Sequence, residues 1–438
     1  MTIMYNTIIM KIIRIYKNVL VILFLVLLVS LSEAFGQKEN IIIDIDFPGG
    51  NIIVEDDDNV STLYYDITGD TILIRPDLRD TEGNWFYWYF RVTGAASRTL
   101  YFQFPRGSFI SAFGPAIISD NNQSWKWLYD DVQDNFNSFS YTFGPDENQV
   151  RFSSTIPYLQ ADFDNYISLY KHNPYLSTGL LNTSEKGRSI EKVYIQHPES
   201  NPKFKVLITA RHHAGESIAS YVLEGFLSSI LDQDNSPLSP NRPNSPGSSL
   251  SWLQENVEFL IIPFMDKDGV EDGDQGKNRR PHDHNRDYSG ESIYNSVASL
   301  RDKVAAWGEG KLKVALDLHC PWIRGEWNEH IYFVGSGKEE IAREQKKYVD
   351  ILLSRHSGEL TIKPDKSILE YGKAWNVGIP PGQGLSFSRW ASEIEGISFS
   401  STVEVPFSIN NGQKITPQNA RLFGRDLADA LSVYLQGF

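Results

Sequence analysis

Residues 204–217 read FKVLITARHHAGES, and this stretch decides the fold of the chain. Its first half, residues 204–210, is a mostly apolar and β-branched run, and its second half is a polar turn with His213 and Glu216. A buried strand that stops at such a turn delivers its side chains to the carboxyl edge of a sheet, where open α/β sheets bind ligands. Imidazole and carboxylate at i and i+3 point the same way in a helical turn and suit Zn²⁺. A solvated turn also explains the pair, so a metal site needs a third ligand and a base elsewhere.

The length, charge and cysteine content of the chain exclude several classes of protein. A chain of 438 residues predicts two domains. The net charge of −14 argues against nucleic acid or an anionic membrane surface as a partner. Cys320 is the only cysteine, so the chain forms no internal disulfide and its stability comes from its core.

The N-terminal residues have the pattern of a secretory signal peptide. Residues 19–31 are an apolar block with three basic residues before it and SEAFGQ after it. We therefore predict a signal peptide at residues 1–36, cleaved after Ala34 or Gly36, and a secreted or periplasmic protein without stable membrane association afterwards. An uncleaved membrane anchor is the alternative, although the apolar block is short for a spanning helix.

Residues 37–160 are predicted to form an all-β sandwich domain. Short β-rich runs are separated there by clusters of Gly, Pro, Asn and Asp, which is typical of a sandwich. The runs are residues 41–47, 71–74, 85–92, 99–104 and 138–143. The aromatic run at 85–92 is either a strand buried on both faces or a carbohydrate-binding platform.

Residues 161–438 are predicted to form an α/β domain whose mostly parallel sheet is flanked by helices. Apolar strand-like runs alternate with helix-like runs, which favours parallel strands joined by helices. The predicted strands are residues 192–195, 204–210, 257–263, 312–318, 331–334 and 397–405. The predicted helices are residues 217–231, 292–307, 338–355 and 417–435, with a surface loop at 232–251.

A second buried strand, residues 312–318, supplies the missing ligand because it ends at His319. Two strands of one sheet that each finish on a histidine can bring both imidazoles to one metal ion. His213, Glu216 and His319 then form a His₂Glu set with a position left for water, as in catalytic zinc sites. Asp317 lies on the same strand face as His319 and could orient an imidazole, or it could have a purely structural role.

Two further segments carry charged groups that suit a reaction on a carboxylate-bearing substrate. The loop 276–288 contains three arginines and two asparagines, and guanidinium groups bind carboxylates through two parallel hydrogen bonds. Glu404 is a lone carboxylate in the otherwise apolar or small run 398–405. A buried glutamate is costly unless it has partners or a task.

The order of these motifs resembles the M14 zinc carboxypeptidase family. His213-x-x-Glu216 is followed by Asn285-Arg286, then by His319 at a strand end, and then by Glu404. The match covers about residues 166–438, while the β-rich front half resembles the N-terminal domain of the cytosolic-carboxypeptidase branch of that family.

The resemblance implies a zinc carboxypeptidase-like fold, one Zn²⁺ per chain, and the C-termini of peptides or proteins as substrate. His213, Glu216 and His319 would bind the zinc ion, and Glu404 would be the general base and then the general acid. Asn285 and Arg286 would hold the terminal carboxylate of the substrate. Arg279 would polarise the scissile carbonyl, with Arg280 as the alternative because loop lengths differ within the family.

Two features depart from the pancreatic type of M14 enzyme. Residues 378–384 contain no tyrosine where that type has a mobile one, and Tyr371 is distant. Arg389 lies near the segment that selects the terminal side chain, which suggests a preference for acidic C-terminal residues. The alternative for Arg389 is a surface salt bridge to Glu393 or Glu395.

Three other functions remain possible from the sequence. A zinc deacylase of the aspartoacylase type has a similar ligand pattern, but the Asn285-Arg286 pair and the front domain argue against it. A secreted enzyme could instead be a peptidoglycan stem-peptide carboxypeptidase. A carbohydrate-binding module without catalysis is the non-enzymatic alternative, and the intact motifs argue against it.

Overall fold

The computed structural model describes residues 14, 16–23, 40–55, 63–67, 69–199, 201–232, 249–378 and 382–438. Residues 1–41 and 42–438 are two separate units. Residues 16–23 in the first unit are helical, and most of the predicted signal peptide lies outside the described residues. Among the helices that are described, none has the length and apolar character needed to cross a membrane.

The front of the chain forms two β-sheets. Their strands are β1 (Ile41–Asp44), β2 (Ile53–Val54), β3 (Tyr64–Ile67), β4 (Thr71–Arg75), β5 (Tyr89–Thr93), β6 (Thr99–Gln103), β7 (Ala116–Ser119), β8 (Asn122–Trp127), β9 (Ser138–Thr142) and β10 (Gln149–Ser153). One sheet has the order β3-β1-β5-β10-β7-β8, and the other has the order β2-β4-β6-β9. The predicted strands are present, the one at 85–92 only from Tyr89 onward, whereas β2, β3, β7, β8 and β10 were missed because their apolar runs are short and interrupted.

Aromatic side chains join the two sheets face to face. Phe90 of β5 and Phe152 of β10 pack on Phe102 of β6, with ring centroids 5.4 Å apart in both contacts. Trp88 and Phe90 are completely buried. The sandwich is therefore as predicted, and Trp88 and Phe90 of the aromatic run belong to its core. Trp85 and Phe86 pack instead on Trp322 of the α/β region. A carbohydrate platform built on Trp88 and Phe90 is excluded, and the run forms a strand only from Tyr89 onward.

The rest of the chain forms a mixed sheet of eight strands. Its strands are β11 (Leu176–Thr183), β12 (Ser189–Ile195), β13 (Phe204–Ala210), β14 (Val257–Ile262), β15 (Leu312–His319), β16 (Tyr332–Val334), β17 (Ile368–Leu369) and β18 (Phe399–Glu404). The order is β11-β12-β14-β13-β15-β18-β16-β17, in which the central four strands, β14-β13-β15-β18, run parallel. A two-stranded ribbon, β19 (Ile409–Asn410) and β20 (Gln413–Lys414), follows. The predicted mostly parallel sheet is confirmed.

Eight helices accompany these strands among the described elements beyond residue 41. They are α1 (Gln160–Ser168), α2 (Ile218–Leu231), α3 (Ser249–Asn256), α4 (Lys267–Asp272), α5 (Asn295–Trp307), α6 (Glu339–Arg355), α7 (Phe387–Ala391) and α8 (Pro417–Gln436), with 3₁₀ turns at His284–Arg286, Glu326–Glu329 and Pro364–Lys366. All four predicted helices are present. Most of the predicted loop 232–251 lies outside the described residues, and its end is already part of α3.

Helices cover both faces of the eight-stranded sheet. On one face, α2 and α8 approach closely because Gly225 and Gly424 leave no side chain between their backbones. On the other face, α5 and α7 bury Leu300 and Phe387 against Leu207 of β13. Helix α8 begins at a capping box, in which Thr416 and Asn419 exchange side-chain hydrogen bonds with each other's backbone N–H. Helices thus cover both faces of the sheet, and the carboxyl ends of its parallel strands are not covered by these helices.

The sandwich packs directly on the α/β region. Trp127 Nε1 donates to the carbonyl oxygen of Ile415 at 2.7 Å, and Asn51 Nδ2 donates to that of Gly273 at 2.8 Å, both in buried positions. Residues 42–438 cluster as one compact unit. The predicted boundary near residue 160 therefore stays a prediction.

Candidate metal centre and active-site cleft

Two strand ends bring the three predicted metal ligands together. His213 and Glu216 lie in the turn between β13 and α2, and His319 is the last residue of β15. His213 Nδ1 is 2.8 Å from Glu216 Oε1, and His319 Nδ1 is 2.7 Å from Glu216 Oε2. The two Nδ1 atoms are 3.1 Å apart. The order β14-β13-β15-β18 makes β13 and β15 neighbours, which is why their polar ends meet.

The donor set of this centre fits a divalent cation. Two imidazole nitrogens and a carboxylate converge in a buried position, and their ligand atoms all lie within 4.8 Å of one another. Nitrogen and oxygen donors in this number are the ligands of catalytic zinc sites. The residues therefore fit the ion that the sequence predicts.

A hydrogen-bonded chain fixes the far side of His319. Its Nε2–H donates to Asp317 Oδ2 at 2.6 Å, and Asp317 Oδ1 accepts from His212 Nδ1 at 2.7 Å. His212 Nε2 in turn lies 2.7 Å from the hydroxyl of Tyr288. His212, Asp317 and His319 also form a possible ligand cluster, but their atoms already pair as donors and acceptors. Asp317 thus orients His319 and leaves its Nδ1 facing Glu216.

Glu404 lies beside the metal centre. It ends β18, where its register partner on β15 is His319. Side chains alternate between the two faces of a strand, so Ser400, Thr402 and Glu404 of β18 all point into the same cleft. Burial raises the pKa of Glu404 to about 7, and its Oε2 atom is buried without a hydrogen-bond partner among the described residues. A carboxyl group with such a pKa can both accept and release a proton near neutral pH.

The predicted carboxylate-binding pair also lines the cleft. Asn285 and Arg286 occupy the 3₁₀ turn His284–Arg286. Asn285 Oδ1 accepts from the backbone N–H of Phe387 at 2.9 Å, which leaves its amide nitrogen toward His319 at 3.4 Å. Arg286 donates to the carbonyl oxygen of Asn285 at 2.8 Å.

Arg389 reaches the cleft from α7. Its Nη2 donates to the carbonyl oxygen of Val377 at 2.6 Å, and its guanidinium lies 5.7 Å from the ring centroid of Tyr371. The alternative salt bridge is not formed to Glu393, which pairs with Lys338 at 2.7 Å. No ion pair of Arg389 is present among the described residues.

Arg279 is not in the cleft, contrary to the position that its predicted role requires. Its side chain is buried against three carboxylates, at 2.5 Å from Asp80, 2.7 Å from Asp266 and 2.9 Å from Asp274. Together these carboxylates outweigh burial and raise the pKa of its guanidinium. The alternative residue, Arg280, is exposed and pairs with Glu82.

Lys277 occupies the cleft instead, and sequence reasoning missed it. It lines the cleft together with His213, Asn285 and Glu404. The sequence gives only a weak indication that Lys277 lies in the cleft. It is one of four Lys and Arg residues between positions 277 and 286, and only its spacing from the others distinguishes it.

Comparisons with known proteins agree with this geometry. A model of the zinc carboxypeptidase family, M14 peptidases, matches residues 171–311. An uncharacterised protein of Zymomonas mobilis is 24% identical over 399 residues, which cover 87% of this chain and 93% of that protein. Cytosolic carboxypeptidase 6 of Caenorhabditis elegans is 25% identical over 320 residues, and the match spans 67% of this chain and 65% of the worm protein.

A solved metallo-carboxypeptidase from Burkholderia cenocepacia has the same fold. It superposes with a TM-score of 0.70 at 19% identity and covers 91% of this chain and 100% of its own. The family match ends before His319 and Glu404, so the geometry alone brings those two residues to the site. Residues 171–311 are thus similar to the M14 zinc carboxypeptidases, and the chain shares the fold of a solved metallo-carboxypeptidase.

Proposed function

We propose that the chain is a metallocarboxypeptidase that hydrolyses the C-terminal peptide bond of peptides or proteins. One observation carries this proposal. The buried cluster of His213, Glu216 and His319 adjoins Glu404 in a cleft that also contains the cations and amide needed for a terminal carboxylate.

Each residue has a chemical task in the proposed reaction. His213, Glu216 and His319 would hold one zinc ion, which when bound lowers the pKa of a water molecule to about 7 and polarises a carbonyl group. Glu404 accepts the proton of the attacking water and later donates it to the amine nitrogen of the leaving amino acid. Its pKa of about 7, raised by burial, suits both steps.

Asn285 and Arg286 are proposed to bind the terminal carboxylate of the substrate. A guanidinium fork and an amide N–H₂ are donors that match the two oxygens of a carboxylate. Substrates with an amidated C-terminus lack that negative charge, so the proposal requires a free C-terminus.

We further propose that acidic C-terminal residues are preferred. The described cleft lining contains three cations, Lys277, Arg286 and Arg389, against a single carboxylate, Glu404. Arg389 has no ion pair among the described residues, and burial lowers the pKa of its guanidinium. A carboxylate side chain in the cleft would give this cation a partner.

The N-terminal pattern of basic, apolar and then small residues supports export of the protein as a secreted or periplasmic enzyme. N-terminal sequencing of the protein recovered from the medium or periplasm would test this, with a mature end near residue 35 or 37 expected. An intact N-terminus in the cytosol would contradict it.

The activity can be tested with a peptide panel and a zinc assay. We expect one zinc ion per chain and release of free amino acids from peptides with varied C-termini, but none from matched C-terminal amides. Peptidoglycan stem peptides and N-acetylaspartate belong in the same panel. Acetate release from N-acetylaspartate without cleavage of any peptide would overturn the proposal in favour of a deacylase.

A further inference from the structure

The loop that carries Lys277 packs directly against the metal-binding turn. Gly276 has a φ of +77°, and a Cβ atom at this position would overlap the backbone nitrogen of Ala214. The backbone N–H of Gly215 donates to the carbonyl oxygen of Gln275 at 3.2 Å. Lys277 therefore leaves the loop next to His213, and both residues line the same cleft.

The ammonium group of Lys277 has no ion pair among the residues that the structure describes. Its Nζ lies 5.9 Å from the ring centroid of Trp85, which is an interaction that leaves its hydrogen-bond donors free. Lys277 lines the same cleft as His213, His319 and Glu404, so its free ammonium group shares the cavity in which the proposed substrate would bind.

The other cations of the loop have partners elsewhere. Arg279 is held by Asp80, Asp266 and Asp274, and Arg280 by Glu82. Moving Arg279 into the cleft would leave these carboxylates, two of them buried, without their cation, which is strongly unfavourable. Neither arginine lines the cleft.

The front domain holds this loop in place. The backbone of Arg279 bridges to that of Thr81, and the N–H of Glu82 donates to the carbonyl oxygen of Asn278 at 3.1 Å. The side chain of Gln275 bonds both the N–H of Tyr87, at 2.7 Å, and its carbonyl oxygen, at 2.8 Å. Lys277 lies between these two anchors, so its backbone is fixed on both sides.

We propose that Lys277, and not Arg279, is the cation that stabilises the oxyanion formed at the scissile carbonyl. This inference rests on the proposed peptidase function. When the water oxygen bonds to the carbonyl carbon, the π pair of the C=O bond moves to oxygen, and Glu404 takes one water proton. Lys277 donates a hydrogen bond to that negative oxygen and keeps its own proton. The C=O bond then reforms, the C–N bond breaks, and the amine nitrogen takes the proton from Glu404.

The first test compares variants of the zinc-loaded full chain on one cleaved peptide. Lys277→Met should lower kcat by about 100-fold to 1000-fold with KM, zinc content and Tm little changed, since a preorganised donor acts mainly in the transition state. Lys277→Arg should retain most of the activity. Lys346→Met, which removes an exposed lysine on α6, should match the wild type. A wild-type kcat for Lys277→Met would overturn the proposal.

Chemical rescue gives an independent readout. Cys320 is buried, so a cysteine introduced by Lys277→Cys can be alkylated selectively with 2-bromoethylamine. The product restores an ammonium group on a side chain of nearly the same length. We expect kcat to recover at least tenfold, while treated wild type stays unchanged. No recovery after complete alkylation would contradict the proposal.

A binding measurement separates this inference from the peptidase proposal itself. A phosphonate analogue of a dipeptide carries a negative tetrahedral centre, and calorimetry should show about 100-fold weaker binding to Lys277→Met than to the wild type. A free amino acid, which lacks that centre, should bind both equally. If the wild type cleaves no peptide, the proposed function fails, yet the phosphonate affinities still decide the role of Lys277. Equal phosphonate affinities would overturn it.

Discussion

His319 and Glu404 are register partners at the ends of the adjacent parallel strands β15 and β18. Both strands end at the same edge of the sheet, so an imidazole that would bind zinc and a buried carboxyl group stand side by side. The sheet order thus sets the distance between the metal centre and its proposed base.

Glu404→Gln should abolish turnover and leave the zinc content at one ion per chain. The amide cannot accept the water proton, and loss of a general base costs about 10²-fold to 10⁴-fold in kcat. Glu224→Gln is a matched control, because Glu224 is also buried but bonds Tyr158 and Arg421 instead. It should lose stability and keep its kcat. An active Glu404→Gln enzyme would refute the assignment.

Asp317→Asn should weaken zinc binding by about 10-fold to 100-fold. The amide can no longer accept hydrogen bonds at both atoms from His319 Nε2, His212 Nδ1 and the hydroxyl of Thr209. His319 then loses its fixed orientation. Competition with a chelator measures the zinc affinity, and an unchanged affinity would show that Asp317 does not orient the ligand.

Arg389→Met should reduce kcat/KM selectively for peptides that end in Glu or Asp, by about tenfold or more. Removing the guanidinium deletes the charge that a terminal carboxylate side chain would pair with, whereas a peptide ending in Leu has no such partner. The comparison needs both peptides at the same upstream sequence. An equal loss on both would assign Arg389 a structural role.

Arg279→Met should lower the free energy of unfolding by about 3 kcal/mol, since it leaves Asp80, Asp266 and Asp274 without their shared cation. Urea denaturation measures the change. Arg280→Met removes an exposed cation one position away and should change stability by less than about 0.5 kcal/mol. Equal stability of the two variants would mean that the acidic cluster tolerates the loss.

His356 should contribute pH-dependent stability. Its Nδ1–H donates to Asp426 Oδ2 at 2.6 Å, and this bond raises the pKa of His356 above its ordinary value of 6.5. A raised folded pKa means that the contribution is complete below about pH 6.5 and is lost as the pH rises through the folded value. The stability difference between wild type and His356→Gln, on the order of 1 kcal/mol, should therefore shrink between pH 6 and pH 9. A difference that grows with pH would contradict this.

Local sequence patterns determined most of the fold. Apolar runs that end in His213 and His319 predicted two parallel strands, and the lone Glu404 in a third run predicted a buried carboxyl group. Strands of this kind end at one edge of a sheet, so the convergence of their polar ends follows from topology. In the front region, the short strands β2, β3, β7, β8 and β10 escaped prediction because pairing with neighbours, and not their own composition, makes them strands.

The direction of loop side chains was decided only by the tertiary structure. Arg279 and Lys277 are two residues apart in one loop, and nothing in that loop says which faces the cleft. Asp80 and the backbone of residues 81–87, nearly 200 positions earlier in the chain, pull Arg279 away and anchor the loop on both sides of Lys277. The direction of Arg279 is set by the carboxylates of Asp80, Asp266 and Asp274, which surround one position only when the sandwich packs on the α/β region.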